Sequence, residues 1–187
     1  MSEHQYDLAE DEKVTSVMAY TTTSMFWGDA ITKKLVRVGG WMRSDFSPLI
    51  VELRNAQTLI FGASGPSTLS YPIIYLPYET VTAFHVMPGE DDATYYDPKE
   101  KKRVMLPVSA YIGQFRFEGK MRISEMTTVL TSFEVAKEDF LPIFEVEVSH
   151  PSLPPGGVVK VDFATVKRTL AVWGIPDSPE RDYMWNK

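Results

Sequence analysis

Cysteine is absent from this sequence of 187 residues. Its absence excludes disulfide bonds, thiolate nucleophiles and cysteine-ligated metal sites together, and it is typical of a reducing compartment. The first 13 residues carry five acidic side chains and one lysine, so the basic and apolar regions of a signal peptide are also missing. We therefore expect a cytoplasmic protein.

Long apolar runs and excess positive charge are missing as well. No stretch approaches the roughly 18 consecutive apolar residues of a membrane-spanning helix, so we expect no membrane partner. Lysine and arginine total 19 against 25 aspartate and glutamate residues, which gives a net charge of −6. Binding to nucleic acid depends on neutralising phosphates. This charge therefore disfavours nucleic acid as a binding partner, although it is compatible with a local basic patch.

The residue patterns that mark catalytic and metal sites are also missing. The three histidines are isolated in sequence, without a spacing that would place two imidazoles on one metal ion; they are His4, His85 and His150. No nucleophile elbow, phosphate-binding loop or dinucleotide fingerprint occurs. The adjacent acids Asp91-Asp92 and Glu138-Asp139 lie in loop-like segments, where solvated carboxylates are usual. We expect a non-catalytic protein with no cofactor and no metal.

What the chain does contain favours β structure. Hydrophobic residues make up 44% and aromatic residues 12% of the sequence, enough to build a core. Phe144, Val146 and Val148 alternate with Glu145 and Glu147, which is typical of a strand with one buried face. The sequence therefore predicts a mainly all-β protein with few short helices.

Local patterns predict individual elements along the chain. The β-branched and aromatic residues of 17–31 predict one or two strands bent at Gly28. Residues 35–43 read as a strand interrupted by two glycines, and residues 62–70 as a flexible loop. Residues 124–137 are the best helix candidate, with Ser124 as its cap.

A repeat suggests how these elements are organised. The segment 73–86 reads as strand, tight turn and strand, and a similar segment returns at 158–172, which places Thr80 on Thr165. This spacing of 85 residues predicts a tandem duplication, in which Gly119 matches Gly40 and the helix at 124–137 is an insertion in the second copy. The predicted parts are a first module at 14–88, a connector at 89–103, a second module at 104–175, and flexible tails at 1–13 and 176–187.

The first copy resembles the Sm-like small β-barrel. The resemblance lies in Gly40–Asp45, which leads into the strand Val51–Ala56, and in the strand, turn and strand of Ile74–Phe84. The second copy resembles the same plan through Gly119–Met121, Ile143–Val146 and Val161–Val166. This likeness covers most of residues 25–173. It implies two tandem, five-stranded modules, either small Sm-like or SH3-like barrels or strongly bent, half-open sheets, of a kind that associates by pairing exposed edge strands.

Two further points qualify what the resemblance implies. The asparagine that recognises an RNA base in that family falls on Ile50 here, and the later basic-glycine pair falls on Pro77-Tyr78 and on Asp162-Phe163. A base-binding pocket would therefore lack its polar groups. The whole chain also resembles an uncharacterised group of bacterial proteins with a Trp-Gly-Asp segment, here Trp27–Asp29, which implies no activity.

Two function classes remain from the sequence. The first is a non-catalytic assembly or protein-interaction module that forms a homo-oligomer through edge strands, with or without another protein partner. The alternative is a single-stranded RNA or DNA binder that stacks bases on exposed aromatic side chains. The candidate interaction surface comprises Trp41, Arg43, Tyr75, Tyr78, Lys167 and Arg168.

Overall fold

A computed structural model describes residues 6–43, 47–62, 65–88, 103–153 and 157–176. In this part of the chain, ten antiparallel strands form one sheet and two short helices accompany them, so the predicted all-β class is confirmed. The strands are β1 (Glu12–Tyr20), β2 (Ser24–Lys33), β3 (Ile50–Gly62), β4 (Gly65–Pro77), β5 (Ala83–Val86), β6 (Arg103–Ile112), β7 (Phe115–Ser124), β8 (Phe140–Ser149), β9 (Val159–Lys167) and β10 (Val172–Gly174). The helices are α1 (Val38–Trp41) and α2 (Val129–Val135).

The same order of strands occurs twice in the sheet. Across the sheet the order is β10-β6-β7-β8-β9-β5-β1-β2-β3-β4. We call residues 6–88 the first half and residues 103–176 the second half. In each half, the fifth strand precedes the first, and the other three follow in sequence order. The halves join where β9, the fourth strand of the second half, pairs with β5, the fifth strand of the first.

The first half bends at a glycine in its second strand. The register between β2 and β3 shifts around Gly28, as predicted from the sequence. A Cβ atom at Gly28 would lie 2.8 Å from the carbonyl oxygen of Arg54, so no side chain fits there. Next to Arg54, Asn55 adopts a positive φ of 46°. This left-handed conformation supplies the extra residue of a β-bulge.

The second half bends in the same way. The register between β7 and β8 shifts around Gly119, where a Cβ atom would lie 2.6 Å from the carbonyl oxygen of Phe144. Glu145, the next residue, has a φ of 52°. Gly119 therefore corresponds to Gly28, and its predicted match with Gly40 is wrong. Gly40 lies in α1, where a Cβ atom would meet open space.

The hydrophobic cores connect the halves. One core lies within the first half around Val17, Leu53 and Phe84, and also takes in Phe140 from the second half. The other core fills the second half and includes four residues of the first, namely Met18, Tyr20, Met25 and Ala83. The ring of Tyr20 packs edge-on against the rings of Phe115 and Phe117, at 5.2 and 5.1 Å between centroids. The halves therefore share apolar packing as well as a sheet.

Two local predictions are wrong. The predicted strand at 35–43 is interrupted by α1, which buries Val38 while Leu35 stays 99% exposed. Two adjacent glycines give a strand no side chains to pack, whereas burial of Val38 and Met42 holds this short helix in place. The predicted loop at 62–70 instead contains the first part of β4. Proline, serine and threonine are tolerated in β4 because it lies at the edge of the sheet.

The predicted tail, connector and helix are also changed. β1 begins at Glu12, inside the predicted tail, and the Tyr6 hydroxyl donates a hydrogen bond to Asp29 at 2.7 Å. Residues 1–5 of that tail lie outside the described parts of the chain. Residues 89–102, which include Asp91 and Asp92, and residues 177–187 lie outside the described parts of the chain. Helix α2 forms as predicted but begins later, after Thr128, whose side chain accepts a hydrogen bond from the amide of Thr131.

The predicted alignment of the repeat is displaced by about five residues. Thr80 lies in the short 3-10 turn after β4, whereas Thr165 lies inside β9. The turn after β9 comes at residues 168–170. Val38 and Val129, the buried first residues of α1 and α2, are 91 positions apart, as are Gly28 and Gly119. The helix at this place therefore occurs in both halves, and α2 is not an insertion.

Candidate functional site

The junction between the halves is formed by β5 and β9. Backbone pairing joins Ala83 to Val166 and Phe84 to Thr165. The amide of Lys167 donates to the carbonyl oxygen of Thr82 at 2.7 Å, and the Thr165 hydroxyl donates to the carbonyl oxygen of Phe84 at 3.2 Å. The outer edge of β9 is thus covered by backbone pairing and by side-chain hydrogen bonds.

Lys167 belongs to this junction and is not an exposed interaction residue. Its side chain is buried, with 5% of the residue accessible. The ammonium donates to Glu79 Oε2 at 3.0 Å and lies 5.0 Å from the centre of the Tyr78 ring. An ion pair and a cation–π contact therefore compensate for the burial of this charge. The sequence interpretation of Lys167 as a surface cation is wrong.

Two other predicted surface residues, Arg168 and Arg43, also hold elements together. Arg168 donates through Nη1 to the backbone oxygens of Phe133 and Ala136, and so satisfies carbonyl groups at the end of α2. Arg43 approaches Glu138 across the junction, with 3.7 Å between Nη2 and Oε1.

Two contacts hold Tyr78 at the junction, one made by its hydroxyl and one by its ring. Its hydroxyl donates to the carbonyl oxygen of Met42 at 3.3 Å, and its ring packs edge-on against Phe140 at 5.5 Å between centroids. Tyr75, in contrast, is 60% exposed on β4, and Trp41 lies half-buried on α1. The six predicted residues therefore do not form one surface.

The outer edge of β4 forms the first candidate interaction surface. No strand of the described chain pairs with this edge. Leu69, Tyr71, Ile73 and Tyr75 alternate along β4, share one face of the strand, and are all exposed. The sequence contained this alternation, but interpreting residues 62–70 as a loop concealed it.

The outer edge of β10 forms the second candidate surface. Within the described residues, β10 pairs only with β6, and Val172 is 71% exposed. Helix α2 lies beside this edge, with the rings of Phe133 and Trp173 5.0 Å apart. Leu130 and Val135 of α2 are also exposed. An apolar surface therefore accompanies an unpaired strand edge at both ends of the sheet.

No known family model, curated protein or solved structure matches this chain. The candidate function therefore depends on the geometry and chemistry of the described residues.

Within those residues, no group of three or more histidine, aspartate or glutamate side chains is arranged to hold a metal ion. None of the described helices has the length and apolar character needed to cross a membrane.

Tyr20 of β1 and His85 of β5 form a buried pair next to the core that fills the second half. The Tyr20 oxygen is 2.9 Å from His85 Nε2, and His85 Nδ1 is 2.7 Å from the carbonyl oxygen of Val86. Because a carbonyl only accepts, Nδ1 carries the proton and the Tyr20 hydroxyl donates to Nε2. Burial lowers the pKa of His85 to about 4, so the imidazole is neutral at pH 7. With no accessible surface, His85 stabilises the junction and does not meet a substrate.

Proposed function

We propose that this protein is a non-catalytic assembly module whose copies associate head to tail, with β4 of one copy pairing with β10 of the next. One observation carries the proposal: the corresponding pairing already exists inside the chain. There, the fourth strand of the second half pairs with the fifth strand of the first half. β4 and β10 are the fourth and fifth strands that remain without such a partner.

The correspondence between the halves supports this arrangement. Both have the same strand order, a glycine that admits no side chain in the second strand, and a positive φ at the bulge of the third. These features favour a tandem duplication of one Sm-like module. A contact between copies that repeats β9–β5 would join unlike edges, so it would be heterologous and would form either a closed ring or a filament.

The side chains at the two edges suit such a contact. At the junction inside the chain, α1 lies against both β5 and β9. At the other end, α2 contacts β10 through the rings of Phe133 and Trp173, and Leu130 and Val135 of α2 are exposed. Tyr75 and Ile73 of β4 supply apolar surface for that contact. A long, exposed apolar edge favours association, and specific pairing would cover it.

The nucleic-acid alternative has less support. Of the three aromatic residues considered for base stacking, Tyr78 is packed at the junction and Trp41 is half-buried. Tyr75 is well exposed, but its partner across the strands is the acidic Glu52, and the nearby Arg54 is already paired with Glu52 at 2.7 Å. We therefore propose assembly alone.

Light scattering coupled to size-exclusion chromatography tests the proposal with two edge variants. Tyr75→Lys places a charge on the β4 edge, and Val172→Lys places one on the β10 edge. We expect the unaltered protein to be oligomeric at micromolar concentration and each variant to be monomeric. Leu35→Lys, at a site that is 99% exposed and away from both edges, is the control and should keep the oligomeric mass.

Mixing the two variants identifies the type of contact. Each variant retains one unaltered edge, so an equimolar mixture should form a dimer, because one pair of unaltered edges can still meet. An unaltered protein that is monomeric would overturn the proposal. A mixture that stays monomeric while the unaltered protein is oligomeric would overturn the pairing of β4 with β10, and a variant that keeps the oligomeric mass by itself would show that like edges meet.

A further inference from the structure

A groove with a volume of about 560 Å³ lies between β2 and α1 in the first half. Pockets that bind small molecules typically have volumes of roughly 300 to 1,000 Å³ and mainly apolar walls. Its lining includes the apolar side chains of Ile31, Val36 and Trp41 and the polar side chains of Thr32, Lys33 and Arg37. The groove therefore combines an apolar wall with hydrogen-bonding and cationic groups.

The charges around the groove leave one cation uncompensated. Lys33 is paired with Asp11 at 2.9 Å and with Glu12 at 3.3 Å. Glu12 also accepts a hydrogen bond from the amide of Ala9, so this carboxylate is already engaged. Arg37 is exposed and forms no ion pair among the described residues. The guanidinium of Arg37 is therefore available for an anionic group of a ligand.

We propose that this groove binds a small organic anion with a flat apolar body. The apolar body would lie against Trp41, Val36 and Ile31, and the anionic group would meet Arg37. At the positions in the second half that correspond to Lys33, Arg37 and Trp41, the sequence has Ser124, Thr128 and Ser132. The cations and the aromatic ring are missing there, so one ligand binds each chain.

Naphthoate, an aromatic carboxylate, is a suitable probe for the proposed ligand class. Naphthalenemethanol has the same ring without the charge, and naphthylmethylamine carries the opposite charge. Titration calorimetry and ligand-detected NMR should show saturable binding of one naphthoate per chain. Since a charge-assisted hydrogen bond contributes roughly a factor of ten or more to affinity, naphthoate should bind about tenfold more tightly than the alcohol.

Arg37→Gln tests the role of the cation. This variant should weaken naphthoate binding about tenfold and leave the affinity for naphthalenemethanol unchanged. Arg116→Gln removes an arginine from the second half, far from the groove lining, and should leave both affinities unchanged. Equal affinity for the three probes, no saturable binding of naphthoate, or an unaltered affinity in Arg37→Gln would each overturn the proposal.

The ligand proposal is independent of assembly. The β4-edge variant Tyr75→Lys should bind naphthoate as tightly as the unaltered protein. Normal binding by a monomeric protein would therefore support the groove even if the assembly proposal failed, and absence of binding by a normal oligomer would overturn the groove alone.

Discussion

The two halves of the sheet have the same strand order, but the edge of the fourth strand is paired in one half and open in the other. In the second half, the edge of β9 is covered by β5, and the buried Thr165 and Lys167 satisfy polar groups there. In the first half, the edge of β4 has no partner within the described chain and exposes apolar side chains such as Tyr75. Equivalent strands therefore carry different side chains according to what lies beside them.

The bulges show a second difference between equivalent positions. In the first half, Asp29 of β2 accepts a hydrogen bond from Asn55 of β3 at 3.3 Å. In the second half, Lys120 of β7 pairs with Glu145 of β8 at 2.7 Å. Both pairs join the residue after the glycine to the residue with positive φ. The geometry is the same in the two halves although the chemistry of the pair differs.

The largest expected effect comes from filling the space at the bulge glycine. Gly119→Ala should lower the free energy of unfolding by roughly 2 to 4 kcal/mol, because its Cβ atom would collide with backbone. Gly28→Ala should have a similar effect if the two bulges are equivalent. Gly40→Ala is the control and should be neutral or slightly stabilising, since its Cβ meets open space. Urea unfolding measures the free energy of unfolding of all three variants. A Gly119→Ala variant as stable as the unaltered protein would show that the bulge glycine is not required in the second half.

The junction should also make stability depend on pH. The pKa of His85 falls from its usual 6.5 to about 4 in the folded protein. Below pH 6.5, His85 binds a proton in the unfolded chain but not in the folded protein. Stability therefore decreases as the pH falls from about 6.5 to about 4. The loss is on the order of 3 kcal/mol.

Urea unfolding across this pH range checks the expectation. Burial also lowers the pKa of His150, so some dependence in the same direction should remain when His85 is replaced. His85→Gln should lower stability at neutral pH and flatten most of the slope. A slope that is unchanged in His85→Gln would assign the effect to other groups.

Removal of the buried cation should weaken the junction. Lys167→Ala should cost about 2 kcal/mol, because it removes the hydrogen bonds to Glu79 and the cation–π contact with Tyr78. Lys160→Ala on the neighbouring exposed face of β9 is the control, and its effect should stay within about 0.5 kcal/mol. Thermal unfolding of the two variants gives the comparison. Equal effects would contradict a structural role for Lys167.

The smallest expected difference lies between the two bulge pairs. Asp29→Ala should cost about 1 to 2 kcal/mol, because Asp29 accepts hydrogen bonds from Tyr6, Ser16 and Asn55. Lys120→Ala should cost less than about 1 kcal/mol, because its ion pair with Glu145 is exposed to water. Urea unfolding under identical conditions measures both. A larger effect at Lys120 would reverse the comparison.

Much of the fold could be predicted from local patterns, whereas the candidate surfaces could not. Alternation correctly indicated the strand that contains Leu53 and the one that contains Val146, and glycine content correctly indicated the bend at Gly28. The same reasoning misplaced β4, because its serine and proline residues are usual in loops. It also treated Lys167 as a surface cation, since the sequence does not show that Glu79 lies 3.0 Å away.

The sequence by itself determined the all-β class, most of the strands and the absence of recognisable catalytic motifs. These depend on the alternation of side chains along a strand and on residue types, both of which are local. Only the tertiary structure decided which edges are paired, which charges are buried, and where the groove beside α1 forms. Those features depend on residues far apart in sequence, such as Lys167 and Glu79, whose proximity follows from long-range strand pairing. The open edges of β4 and β10 are visible only once that pairing is known.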